Sequence, residues 1–77
     1  MPTIRVTVLR DDEPVQGHRV VLEFAGLIGT MSDAEYTDED GIAEFEVESG
    51  QSGVVYVDGK KSARWGASTA TDITVSL

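Results

Sequence analysis

The sequence predicts an all-β chain, folded as an antiparallel Greek-key β-sandwich of six to seven short strands. Three observations lead there. Apolar residues alternate with polar ones along most of the chain, and no window carries an apolar stripe at helical spacing. Clusters of Gly, Pro, Asp and Ser punctuate the alternation at short intervals, as a sandwich requires. The chain is also small: 77 residues, 40% hydrophobic and 26% charged, with 8 Gly and 2 Pro. That describes one globular domain, residues 1–77, with a thin core. No cysteine is present, so neither disulfides nor thiolate metal ligands supplement that core.

Ile4, Val6 and Val8 alternate with Thr3, Arg5, Thr7 and Leu9 and define the first strand. Arg10 to Pro14 is a polar turn, and its proline is expected to end any ladder. The second strand runs from His18 to Ala25, with Val20, Leu22 and Phe24 facing the core and Arg19, Val21 and Glu23 facing away. Ala25 to Gly29 reads as a loop in which Leu27 and Ile28 cap one end of the core. Thr30 to Thr37 does not alternate cleanly, which suggests a bulge or a short irregular strand.

Thr37-Asp38-Glu39-Asp40-Gly41 reads as a tight turn in which Gly41 supplies positive φ. The following strand is the clearest in the chain: Ala43, Phe45 and Val47 point inward, while Ile42, Glu44, Glu46 and Glu48 point out. Ser49 to Gly53 is expected to be a flexible connection into Val54–Val57. Asp58-Gly59 is a sequence for a two-residue type I′ hairpin, since both central residues must take φ > 0. The partner strand runs from Lys61 to about Ala67, and the last strand places Ile73, Val75 and Leu77 opposite Asp72, Thr74 and Ser76.

Charge is concentrated in one segment. Asp33 to Glu48 holds eight acids and no base, whereas the remaining six acids and six bases cancel, so the net charge is −8. Such a surface repels phosphate backbones and anionic membranes, which argues against nucleic acid or membrane as a partner. A solvated acidic edge that keeps a small β protein soluble is the ordinary reading; a basic partner, divalent cations or life at high salt are the sharper ones. Met1 to Arg5 contains no basic region followed by an apolar stretch, so the expectation is a cytoplasmic protein or a module of a larger chain.

Three blocks carry a family resemblance. They are Val6-Thr-Val8 with Pro14-Val-Gln-Gly17 and Val20-Val-Leu22; Thr37-Asp38-Glu-Asp-Gly41-Ile-Ala-Glu-Phe45; and Gly53-Val-Val-Tyr-Val57 with Ile73-Thr-Val75. Together, over nearly the whole length, they resemble the carboxypeptidase regulatory-like domains, whose fold is the transthyretin-like (prealbumin-like) sandwich. Many of those domains carry a glycine inside the first strand, where this chain has Arg5 to Val8. The Thr-Asp-x-x-Gly turn is similar to that of bacterial Ig-like domains of adhesins, the second resemblance. Both imply a structural or binding module rather than a catalyst. The hydroxyisourate hydrolases share the transthyretin fold, but they use several histidines and a Tyr-Arg-Gly-Ser ending. This chain has only His18 and ends Ile73-Thr-Val-Ser-Leu77, and fold alone licenses no activity.

Candidate sites follow from residue chemistry. His18 has no recognisable nucleophile or second nitrogen ligand around it, so no catalytic residue, metal site or cofactor is assigned. Asp38-Glu39-Asp40-Gly41 resembles half of a calcium loop, but Tyr36 and Val47 occupy the positions where an EF-hand needs its first and last ligands. An Asp/Gly turn favoured by its own geometry is the alternative. Trp65 reads as core, alternating with Ala63 and Ala67, or else as a stacking residue. With Tyr36 and Tyr56 it makes the candidate set for a carbohydrate-binding module. Tyr56 is expected to face solvent near Arg64 or Ser62. The leading reading is a non-catalytic structural or protein-interaction module, whose contact surface is the strand edge formed by Ile73, Thr74, Val75, Ser76 and Leu77. Thr74 and Ser76 offer no charge to deter a neighbouring strand, so a protein partner or a second copy is expected there by edge addition.

Overall fold

The computed structural model describes residues 1–26 and 30–77, which form two β-sheets around one core. The expected capping by Leu27 and Ile28 lies outside the described residues. The strands are β1 (Thr3–Arg10), β2 (Glu13–Pro14), β3 (Arg19–Phe24), β4 (Glu35–Tyr36), β5 (Ile42–Glu46), β6 (Ser52–Val57), β7 (Lys60–Gly66) and β8 (Asp72–Ser76). Six have at least five residues; β2 and β4 have two each.

In the first sheet β1 is central. On one side it pairs antiparallel with β5 (Ile4 opposite Phe45, Val6 opposite Ala43) and, further along, with β2. On the other side it pairs with β8, and that pairing is parallel: Val6 lies opposite Ile73 and Val8 opposite Val75. The expectation of antiparallel pairing throughout is corrected at this one ladder. β8 enters from the other sheet through residues 67–71 rather than from a hairpin, so no tight turn fixes its direction. The second sheet has the order β4-β3-β6-β7 and is antiparallel throughout.

The period-two pattern decides which side chains meet between the sheets. Ile4, Val6 and Val8 of β1, Ala43 and Phe45 of β5, Ile73 and Val75 of β8, Val20 and Leu22 of β3, Val55 and Val57 of β6, and Trp65 of β7 share one buried cluster with Val47. Phe24, expected in the core, is half-buried and packs edge-on against Trp65, with ring centroids 5.4 Å apart at 90°. Val21 departs from the expected pattern. It lies on the outward face of β3, yet it is buried; its cross-strand neighbour is Tyr56, also on that face.

Two glycines hold positions that no other residue fits. Gly41 has φ +75°, and a Cβ there would sit 2.8 Å from the Val8 carbonyl oxygen and 2.9 Å from Pro14 Cβ. Gly53, expected in a flexible connection, is part of β6 between Phe24 and Trp65. A Cβ on Gly53 would collide with the Glu23 carbonyl and meet the Trp65 indole nitrogen, which donates to that same carbonyl at 3.2 Å. The close backbone approach is what seats the tryptophan.

The two tight hairpins show how local chemistry sets register. Asp58 and Gly59 take φ of 52° and 80°, the expected left-handed pair between β6 and β7. That two-residue turn sets Tyr56 opposite Lys61 rather than Arg64 or Ser62, and a bulge between Val55 and Tyr56 then shifts the register so that Val55 lies opposite Ala63. Asp11 and Asp12 also have positive φ, and they join β1 to β2 with Leu9 opposite Pro14. The proline therefore closes a short ladder instead of preventing one, at a position where β2 is only two residues long.

Candidate functional site

The hydrogen bonds of β8 define which of its backbone groups are spoken for. Arg5 N donates to the Thr71 carbonyl at 2.7 Å, and Leu77 N donates to the Leu9 carbonyl at 2.7 Å. In a strand the backbone groups alternate sides, so Ile73, Val75 and Leu77 turn theirs toward β1. Those of Asp72, Thr74 and Ser76 are directed away from it, where no further strand pairs among the described residues. The predicted contact segment, Ile73 to Leu77, is therefore a sheet edge. Ile73 and Val75 are anchored in the core, Thr74 and Ser76 are exposed, and Leu77 is 47% exposed at its end.

Beside this edge runs a groove of ≈530 Å³ whose lining includes Arg10, Lys60, Lys61, Thr74, Ser76 and Leu77. Half of the six bases in the chain line this one groove. Neither lysine has an ion-pair partner among the described residues. The carboxylate on the same groove, Asp58, is already engaged: its Oδ2 lies 2.7 Å from His18 Nδ1 and its Oδ1 accepts from the Arg19 amide at 3.3 Å. The His18 hydrogen bond lowers the Asp58 pKa most, aided by the Arg19 amide and the nearby His18 and Arg10 charges and opposed by partial desolvation.

The opposite edge of the same sheet is β5. Val8 N donates to the Gly41 carbonyl at 2.8 Å and Val47 N to the Pro2 carbonyl at 3.0 Å, so the inward-facing residues of β5 carry its ladder. The backbone groups of Glu44 and Glu46 face away from β1. Here the groove is ≈350 Å³, and Asp33, Glu35, Glu44 and Glu46 are among its lining residues. Glu44 also reaches Arg5, with Oε2 3.0 Å from Nη2 and 3.1 Å from Nε, an exposed pair on the outer face.

The remaining candidates resolve by burial and bonding. Trp65 is 2% exposed, so its faces are spent on Phe24 and the core and are not offered to a sugar ring. Tyr36 is 61% exposed opposite Arg19, and Tyr56 is half-buried on the same outer face of the second sheet. At the acidic turn, Asp38 Oδ1 accepts from the Asp40 amide at 2.8 Å and the Ile42 amide at 3.0 Å. That carboxylate closes its own turn, the structural role Asp plays at this position. Behind it, the buried Thr37 hydroxyl donates to the Val15 carbonyl at 2.7 Å and accepts from the His18 amide at 3.0 Å, which ties the turn to the start of β3. Among the described residues no group of three or more His, Asp or Glu side chains is placed to hold a metal ion.

Sequence reasoning named the β8 edge but not Arg10, Lys60 and Lys61 beside it, nor the bond between His18 and Asp58. Lys60-Lys61, the chain's adjacent pair of lysines directly after Asp58-Gly59, was the signal available. What the sequence lacked was the packing of the two sheets, which sets β7 near β8. No protein-family model matches this chain, and no curated protein or solved structure gives a significant match.

Proposed function

We propose that this chain is a non-catalytic protein-interaction module, a Greek-key β-sandwich of the carboxypeptidase regulatory-like type, that binds through the edge of β8. The observation that carries the reading is the contrast between its edges. The outward backbone groups of Thr74 and Ser76 carry uncharged side chains, with Asp72 the one charge at the start of the strand, whereas β5 presents Glu44 and Glu46 at its outward positions. Edge addition supplies main-chain hydrogen bonds without a deep pocket, which suits so small a domain.

Sedimentation velocity over a concentration series tests this, comparing the wild type with Thr74→Pro and Ser76→Pro. The expected result is association in the wild type, or capture of a partner strand, that either proline abolishes while the thermal melt is unchanged. Proline at an outward-facing position of an edge strand removes the N–H that pairing needs without touching the ladder to β1 or the core. Association that persists in both variants would place the contact elsewhere.

A further inference from the structure

The two edges of the first sheet are complementary in charge as well as in hydrogen bonding. On the β8 side, Arg10, Lys60 and Lys61 flank backbone groups that face outward; of the carboxylates there, Asp58 is engaged by His18 and Asp72 stands at the start of the strand. On the β5 side, Asp33, Glu35 and Glu46 flank the outward groups of Glu44 and Glu46, and Arg5 answers only Glu44. We infer that the occupant of the β8 edge is the β5 edge of a second copy, so that chains associate head to tail. This rests on the β8-edge reading above and specifies its partner.

A twofold pairing of β8 with β8 would bring two sets of Lys60 and Lys61 to one seam, and β5 with β5 would oppose glutamates; both place like charges across a strand pair. The head-to-tail arrangement instead sets carboxylates against ammonium and guanidinium groups while each edge gains a neighbour. Two different surfaces meet in such a contact, so it does not stop at a symmetric dimer: each added chain leaves one free edge of either kind, until a ring closes or an open series grows. The net charge of −8 opposes association over long range. At physiological salt that repulsion is screened beyond a Debye length of about 8 Å, whereas adjacent charges at the seam still act.

Complementation of two edge-blocked chains tests the inference. Thr74→Pro removes the outward N–H of β8 and leaves the ladder to β1 intact, since prolines are accepted at such positions. Glu35→Lys with Glu46→Lys reverses the two glutamates of the acidic groove that Arg5 does not pair and keeps the Arg5–Glu44 pair. Sedimentation of the wild type should show a weight-average mass that climbs with concentration past that of a dimer. Each blocked chain alone should stay monomeric, and an equimolar mixture of the two should form a species of two chains and nothing larger. That mixture regains one intact seam, from the unmodified β8 of one chain and the unmodified β5 of the other. If the glutamate-reversed chain still associates while Thr74→Pro does not, the acidic edge is not the partner, and the β8 reading survives alone. If Thr74→Pro associates like the wild type, both fall. A wild type monomeric at every concentration overturns self-association and leaves β8 to a different protein. Melting curves of both variants, expected to match the wild type, separate a blocked edge from a failed fold.

Discussion

The flank formed by β4 and β5 and the flank formed by β7 and β8 close the same core but present opposite chemistry. Phe45 and Val47 anchor the first from within; Ile73, Val75 and Trp65 anchor the second. Outside, the first flank carries Asp33, Glu35, Glu44 and Glu46 along its groove, and the second carries Arg10, Lys60 and Lys61. The difference teaches that burial and charge are set independently in a strand. Residues of one parity build the core, and residues of the other parity are left to decide what the edge repels or accepts. In β5 those outward residues are glutamates. In β8 they are Asp72, Thr74 and Ser76, and the positive charge comes instead from Lys60 and Lys61 of β7 in the facing sheet and from Arg10 of β1.

The first way to break this comparison is through the shared core. Phe45→Ala should cost about 3–5 kcal/mol, a large share of the stability of so small a domain. Because one cluster joins both flanks, the mutant should lose amide protection in β8 as well as in β5. If β8 keeps its protection while β5 melts, the flanks are separate folding units rather than two surfaces of one.

The next largest effect is expected at the turn that launches the acidic strand. Gly41→Ala should destabilise by about 1–3 kcal/mol from the left-handed backbone alone, with the close Val8 carbonyl adding to it. A chemical denaturation midpoint equal to the wild type would mean that the turn can rearrange and that β5 does not depend on it.

Salt sharpens the contrast in charge. Eight acids between Asp33 and Glu48 repel one another, so raising ionic strength from low to physiological should raise the melting temperature. The gain should shrink when Glu46 and Glu48 are replaced by Gln. An unchanged melting temperature across that range in the wild type would show that the acids are too well solvated to matter.

The smallest effect belongs to Asp58, on the basic flank. Its folded pKa is depressed, so its contribution is present above the unfolded value of about 3.9 and is lost as pH falls through the folded one. The group is nearly half exposed, which keeps the contribution small. Asp58→Asn should therefore lower stability slightly near neutral pH, change little at low pH, and so flatten the acid limb of stability against pH. An acid limb identical to the wild type would assign that loss to other carboxylates.

Much of this architecture is legible in the sequence, for a physical reason. β1, β5 and β8 are strands whose alternation is set by burial on one face, so Val6, Phe45 and Val75 declare their direction without knowledge of their neighbours. Asp58-Gly59 declares its turn because few other pairs adopt two positive φ angles. What is not legible depends on a partner distant in sequence. Gly53 resembles a linker residue until the Glu23 carbonyl and the Trp65 indole are placed against it. Val21 has an outward phase and is buried even so, and β2 and β4 exist only where a neighbouring strand pairs with two residues. The site divides the same way. The uncharged edge of β8 can be read from its own residues, but the bases beside it, and the hydrogen bond from His18 to Asp58, require the sheets to be assembled first.

The β8 edge, open in the isolated chain, is expected to become paired when the chain associates. Amide hydrogen exchange at Thr74 and Ser76, followed from dilute to concentrated protein, tests this most directly. Both amides should exchange rapidly at dilution, in contrast to those of Ile73 and Val75, which are turned toward β1. Both should then gain protection as the chain associates. Amides at Thr74 and Ser76 that are already protected at dilution, or that gain nothing while association proceeds, would contradict the account.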